Sequence, residues 1–285
     1  MIVYYQVVRF QSLFALFLVS GIVFGILTSS VSATTFPDGE ALASAVYNRP
    51  DGDNFISLGV MVLIEEGHKP RVRQMVTFNL DAGKGDKFMM IRFKKPVDIT
   101  NTGLLTLDYG DNKETDQWVY LPAISKSRRI STKRRGGRFV GSDILYEDLR
   151  DRTVDKDTHK ILRKEKFNKM DTIVLESIPV DPDNSVYDKR VSWIHPKTLL
   201  ALRVDIYQNG SKEPVKRVLS KQIEKKQGYW TIIKSVVKDL KNRHETHLKI
   251  SKIKYDQDVS KDLFSLKYLE DPQREKEIIK QLSGK

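Results

Sequence analysis

Phe55-Ile-Ser-Leu-Gly-Val-Met-Val-Leu-Ile-Glu-Glu66, Gly67-His-Lys-Pro70 and Arg71-Val-Arg-Gln-Met-Val-Thr-Phe-Asn-Leu80 decide the fold. Ile56, Leu58, Val60, Val62 and Ile64 recur at every second position, the period of a strand. Phe55, Met61 and Leu63 make the opposite face apolar too, so both sides of this strand are expected to be covered. After the Gly67–Pro70 turn, Val72, Val76, Phe78 and Leu80 alternate with Arg71, Arg73, Thr77 and Asn79. Asp81-Ala-Gly-Lys-Gly85 turns the chain again. Lys87–Lys95, with Phe88, Met89, Met90, Ile91 and Phe93, makes a third strand. Short gaps rich in Gly, Asn and Asp between such runs predict antiparallel neighbours.

The same pattern continues outward. Strands are expected over 104–109, 117–121, 159–167, 172–178, 187–194, 200–208, 214–225, 229–239 and 244–255. Residues 34–48 read as a short helix, opened by Pro37-Asp-Gly and ended by Arg49-Pro-Asp-Gly52. Residues 143–149 read as a helical turn capped by Ser142 or Asp143. The chain closes with Phe264–Leu269 and a terminal helix over Pro272–Leu282. No substantial helix separates consecutive strands, which disfavours βαβ folds. The expectation is a mainly β fold: one large, curved antiparallel sheet of about eleven strands, a half-open barrel with short helices as a lid over a hydrophobic cavity.

Arg9 is the one charged residue before Asp38, and it precedes the apolar run Phe10–Leu27 and the compact stretch Val31-Ser-Ala33. A basic start, an apolar run and a small-residue end read as a secretory signal peptide over residues 1–33, cleaved after Ala33. The alternative is an uncleaved anchor, since Phe10–Leu27 approaches the length of a membrane span. Residues 34–285 then form a single domain, long enough to be held together by burial alone. The chain contains no cysteine, which excludes disulfides, thiolate chemistry and lipid attachment through cysteine. The net charge of +12 suits polyanions or serves solubility alone, and export turns the first reading from nucleic acid towards lipid head groups, lipopolysaccharide or an acidic partner.

Catalytic constellations fail on spacing. His244-Glu-Thr-His247 has the wrong interval for a helical zinc pair, and on a strand its two rings point to opposite faces. Ser235-Val-Val-Lys238 and Ser251-Lys-Ile-Lys254 match a serine acylase spacing but lie in strand sequence without the companion motifs. Asp181-Pro-Asp-Asn-Ser185 lacks the glycine and the glutamate of a calcium loop. Gly83 and Gly85 lack the third glycine and the helix of a dinucleotide fingerprint. The chain therefore reads as a binding protein, with no enzyme activity, metal or cofactor.

Two sets of residues are candidates for binding. Lys126, Arg128, Arg129, Lys133, Arg134, Arg135 and Arg138 form a basic segment without an acid, read either as a solvated loop or as a docking patch for acidic head groups or an acidic partner. Phe78, Ile91, Phe93, Leu105, Leu107, Trp118 and Tyr120 lie on strand faces, read either as packed core or as the lining of a cavity for acyl chains.

Asp116-Gln-Trp-Val-Tyr-Leu-Pro122 with Arg128-Arg-Ile130, then Gly141-Ser-Asp-Ile-Leu-Tyr-Glu-Asp148, joins other ordered segments. These are Arg49-Pro-Asp-Gly52, Gly67–Arg73, Ile91-Arg-Phe-Lys-Lys-Pro96, Gly103-Leu-Leu-Thr106 and Phe264-Ser-Leu-Lys-Tyr-Leu269. Together they resemble the outer-membrane lipoprotein-sorting family, relatives of the periplasmic carrier LolA. The resemblance implies a LolA/LolB-like half-barrel with Phe264–Leu269 as its closing strand. It also implies a periplasmic carrier of a lipid or acylated protein, working beside an inner-membrane transporter of the resistance-nodulation-division type. The alternative function is an envelope interaction module acting through residues 126–138.

Overall fold

A computed structural model describes residues 35–110, 114–276 and 279. The proposed signal peptide and the end of the proposed terminal helix lie outside the described residues. The alternation around Phe55 gives three long strands, β1 (Asn54–Glu65), β2 (Arg71–Gly83) and β3 (Asp86–Lys95). The run continues with β4 (Gly103–Asp108), β5 (Asp116–Leu121) and β6 (Lys126–Arg129). A second run holds β7 (Asp157–Phe167), β8 (Met170–Pro179), β9 (Lys189–Ile194), β10 (Ala201–Tyr207), β11 (Lys216–Lys226), β12 (Tyr229–Asp239) and β13 (His244–Tyr255). All thirteen form one antiparallel sheet in the order β6-β5-β4-β3-β2-β1-β13-β12-β11-β10-β9-β8-β7. Every neighbour is a neighbour in sequence except β1 and β13, which pair from Phe55↔Tyr255 to Glu65↔His244.

The sheet is strongly curved, and hydrogen bonds prove it. β5 and β9 stand nine places apart in the strand order, so a flat sheet would separate them by about 43 Å. Yet Arg150 donates to Thr115 Oγ1 beside β5 at 3.2 Å and to the Asn184 carbonyl before β9 at 3.2 Å. The side that carries Arg150 is therefore concave. Edges β6 and β7 are joined by residues 130–156, which cross this inner side as a strap.

Each face has its own core. On the inner face, Phe139 and Ile144 of the strap pack with Met61, Leu63, Ile91, Phe93, Leu104 and Val237. Beside them, α1 (Gly39–Tyr47) is capped by Asp38, whose carboxylate accepts from Ala41 N at 2.8 Å. Its Leu42 and Ala43 pack on Ile173, Leu175 and Ile194. A Cβ at Gly39 would stand 2.3 Å from the His159 carbonyl, so only glycine lets α1 press this closely on β7.

On the outer face, the C-terminal segment with α2 (Leu266–Glu270) covers the β1–β5 half. Val259, Leu263, Phe264 and Leu269 pack there on Ile56, Phe78, Phe88, Met90, Leu105 and Tyr120. A buried ion pair clips the segment down. Arg92 donates from Nε and Nη2 to Glu275 Oε1 at 2.9 and 2.7 Å, and both side chains are 0% exposed.

Two expectations need correction. Phe264–Leu269 is not a strand but a turn leading into α2, with Leu263, Phe264 and Leu269 buried and Leu266 exposed. The first part of the basic segment is not a loop but edge strand β6. Residues 34–285 form one compact unit. No helix among the described residues is long and apolar enough to cross a membrane.

Candidate functional site

The strap owes its shape to local bonds. Phe139 N donates to the Ile144 carbonyl at 2.7 Å, Tyr146 N to Gly137 at 3.1 Å and Glu147 N to Arg135 at 2.9 Å. Val140 and Gly141 take positive φ of 45° and 71° at its bend. Gln117 Nε2 of β5 donates to the Tyr146 carbonyl at 2.9 Å, and Asp143 N donates to Thr246 Oγ1 of β13 at 2.8 Å. The strap is thus pinned to both runs of strands.

Beneath it lies a cavity of about 470 Å³. Val204, Ile206, Val218, Val237 and Leu248 of β10–β13 give it an apolar floor, and Ile144 and Leu149 of the strap stand opposite. Its other end is ionic. Glu147 accepts from Arg150 Nη1 at 3.0 Å, Arg190 Nη2 at 3.2 Å and Ser185 Oγ at 3.3 Å. Asp157 accepts from Arg152 Nε at 3.0 Å on both oxygens, with Arg190 Nη1 at 3.7 Å and in no hydrogen bond.

Asp148 accepts from Leu145 N and the Tyr187 hydroxyl, both at 2.7 Å, and pairs closely with Lys216. Burial lowers the Lys216 pKa against the attraction of Asp148. Burial and then Asp148 raise that of Tyr187. Apolar floor and ionic end together suit an amphiphile whose chain is buried and whose head stays polar.

The expected cavity lining is divided between the two faces. Phe78, Leu105 and Tyr120, with Leu107 and Trp118 against them, lie on the outer face beneath the C-terminal segment. Ile91 and Phe93 lie on the inner face against Phe139, the Phe93 and Phe139 rings 5.6 Å apart. None of the seven is among the residues lining the cavity under the strap. Adjacent strand residues point to opposite faces, and a strand buried on both sides does not reveal which is concave.

The basic segment also divides. Arg129 pairs with Asp116, Arg135 is buried against Glu114 at 2.8 Å, and Arg138 pairs with Asp143. Lys126, Arg128, Lys133 and Arg134 are exposed and in no ion pair among the described residues. His244 and His247 do point to opposite faces: His247 lies opposite Val62, and His244 reaches Asp143 and Asp239 inside. Arg138 enters that group, meeting His244 Nδ1 at 2.9 Å and pairing with Asp143, so its guanidinium supplies the positive charge there. Arg150, Arg152, Arg190 and Lys216 went unnoticed in the sequence. Their one signal is the acidic Glu147-Asp148 within the strap.

A family model whose description reads "Uncharacterized protein" matches residues 85–271. A comparison with curated proteins finds no match. Among solved structures, an outer membrane lipoprotein-sorting protein domain from Vibrio parahaemolyticus is 27% identical, with a TM-score of 0.77 over 81% of this chain and 98% of that one. A DUF1329 family protein from Desulfovibrio piger is 30% identical, with a TM-score of 0.77 over 81% of this chain and 97% of that one. A LolA superfamily protein from Nitrosomonas europaea, 18% identical with a TM-score of 0.63 over 81% and 99%, shares the fold. The 30% identity to the Desulfovibrio piger protein over most of both chains, with the same curved open sheet as the LolA superfamily structure, leads to one assignment: the chain belongs to the DUF1329 family and has a LolA-like fold.

Proposed function

We propose that this protein is a periplasmic carrier that holds a lipid, or the acyl chains of a lipoprotein, in the cavity under the strap. It passes that cargo between envelope components, receiving it beside an inner-membrane transporter of the resistance-nodulation-division type. The observation that carries the reading is the apolar floor of Val204, Ile206, Val218, Val237 and Leu248 beneath a strap in a LolA-like fold. Each CH₂ group moved from water onto such a floor contributes about 0.8 kcal/mol. The carrier is exported by the signal peptide ending at Ala33. Lacking cysteine, it is not itself a lipoprotein.

Native mass spectrometry of protein purified from its host, followed by lipid extraction, tests the reading. We expect co-purifying lipid and uptake of a fluorescent fatty acid, both lost in Val218→Trp, which fills the cavity. A dry protein that takes up no fatty acid would reject the carrier. Lys126, Arg128, Lys133 and Arg134, exposed and in no ion pair among the described residues, favour a second reading, an interaction module that docks on acidic head groups or an acidic partner. That reading expects salt-sensitive binding that disappears when these four are neutralised and survives Val218→Trp.

A further inference from the structure

The outer face over β11–β13 lies beyond the C-terminal segment, and its charge pattern is not explained by folding. Lys234 of β12 stands directly opposite Lys249 of β13. Like charges in directly opposed cross-strand positions destabilise a sheet. Lys249 is in turn opposite Val60 and Lys252 opposite Leu58 on β1, while Lys225 of β11 faces Trp230 of β12. All four lysines are exposed and in no ion pair among the described residues. Two carboxylates stand near this face and both are already engaged: Glu224 pairs with Lys226 and accepts from Gln222, and Glu245 pairs with Lys238 and with His247. Trp230 is a large aromatic left 39% exposed at the end of this lysine face.

We infer that this outer face docks on a bilayer surface rich in anionic phospholipid. Lysines on a sheet face can all reach one plane of head groups at once, which relieves the Lys234–Lys249 repulsion. An indole beside them suits the head-group level, where its apolar body and its N–H are both satisfied. Docking through the outer face leaves the strap and the cavity, on the inner face, turned away from the membrane. It does not rest on the carrier reading, because it uses none of the cavity residues.

The test uses residues 34–285, the compact unit, so that the apolar run Phe10–Leu27 cannot bind vesicles itself. Vesicles of equal parts phosphatidylglycerol and phosphatidylcholine are expected to sediment the protein at low salt and release it at high salt, while pure phosphatidylcholine does not. Neutralising Lys234, Lys249 and Lys252 to Gln should lower affinity about fivefold per residue, on the order of a hundredfold together. In a Trp118→Phe, Trp193→Phe chain, Trp230 emission should move to shorter wavelength on the anionic vesicles. Should the triple variant not fold, Lys249→Gln alone carries the test; it removes the like-charge pair and should also raise the melting temperature. No binding to the anionic vesicles, or binding that only an acidic protein provides, overturns the inference. So does vesicle binding that survives the triple variant and is lost on neutralising Lys126, Arg128, Lys133 and Arg134.

Discussion

Glu275→Ala should be among the most damaging single changes in this protein. Arg92 is fully buried, and its guanidinium is satisfied by Glu275 together with two carbonyls, Asn101 from Nη1 at 2.9 Å and Tyr268 from Nη2 at 3.0 Å. Removing the carboxylate leaves a buried cation with only those carbonyl dipoles, a loss of about 3–5 kcal/mol. At about 2–4 °C per kcal/mol for a domain of this size, the melting temperature should fall by roughly 6–20 °C. The pair also holds the C-terminal segment against Leu105 and Tyr120, so Trp118 emission should move to longer wavelength well below the global melt. The double variant Arg92→Met, Glu275→Leu removes both charges and should recover most of the loss. Calorimetry and a fluorescence melt on the three chains decide the matter. If Glu275→Ala costs less than about 1 kcal/mol, or the double variant is as unstable as the single one, the ion pair does not clip the segment as argued.

Three further outcomes follow from other parts of the molecule. Asp108 accepts from Thr115 Oγ1 at 2.6 Å and Asp151 N at 2.8 Å, yet burial outweighs these bonds and pushes its pKa up to about 6. The folded state therefore binds a proton that the unfolded state releases near pH 4. Relative to Asp108→Asn, the wild type should lose up to about 3 kcal/mol between pH 4 and 6 and nothing further above that range, as urea titrations at each pH would read. Asp38→Ala removes the cap of α1 and should cost about 1 kcal/mol, measured by chemical denaturation. Trp118, Trp193 and Trp230 all lie on the outer face, so fatty acid entering the cavity should leave tryptophan emission unchanged; a blue shift on uptake would place the ligand elsewhere.

The strands were legible because alternation survives wherever one face is apolar, as in Arg71–Leu80. β6 was not, because Lys126, Arg128 and Arg129 carry charge where a hydrophobic period would show. Charge on an edge strand blocks pairing with another chain, so the residues that protect this edge also conceal it. Phe264–Leu269 failed for the opposite reason: Phe264, Leu266 and Tyr268 alternate by chance, while burial follows Leu263, Phe264 and Leu269. The ionic end of the cavity joins Glu147, Asp157 and Arg190 from three separate segments. No local spacing encodes their meeting.

The pairing of β1 with β13 bears on how the molecule assembles. Each of the two runs, β1–β6 and β7–β13, is a chain of hairpins whose contacts are local and close quickly. The ladder between them joins Phe55 to Tyr255, which lie at opposite ends of the described chain. Closing so long a loop costs entropy before any ladder bond repays it. The kinetic seam therefore runs through the middle of the sheet and not along its edges. A chain cut within the strap would leave two fragments that meet along the β1–β13 ladder, under α1 on the second run and under the C-terminal segment on the first, so reassociation of those halves would have to rebuild all three contacts.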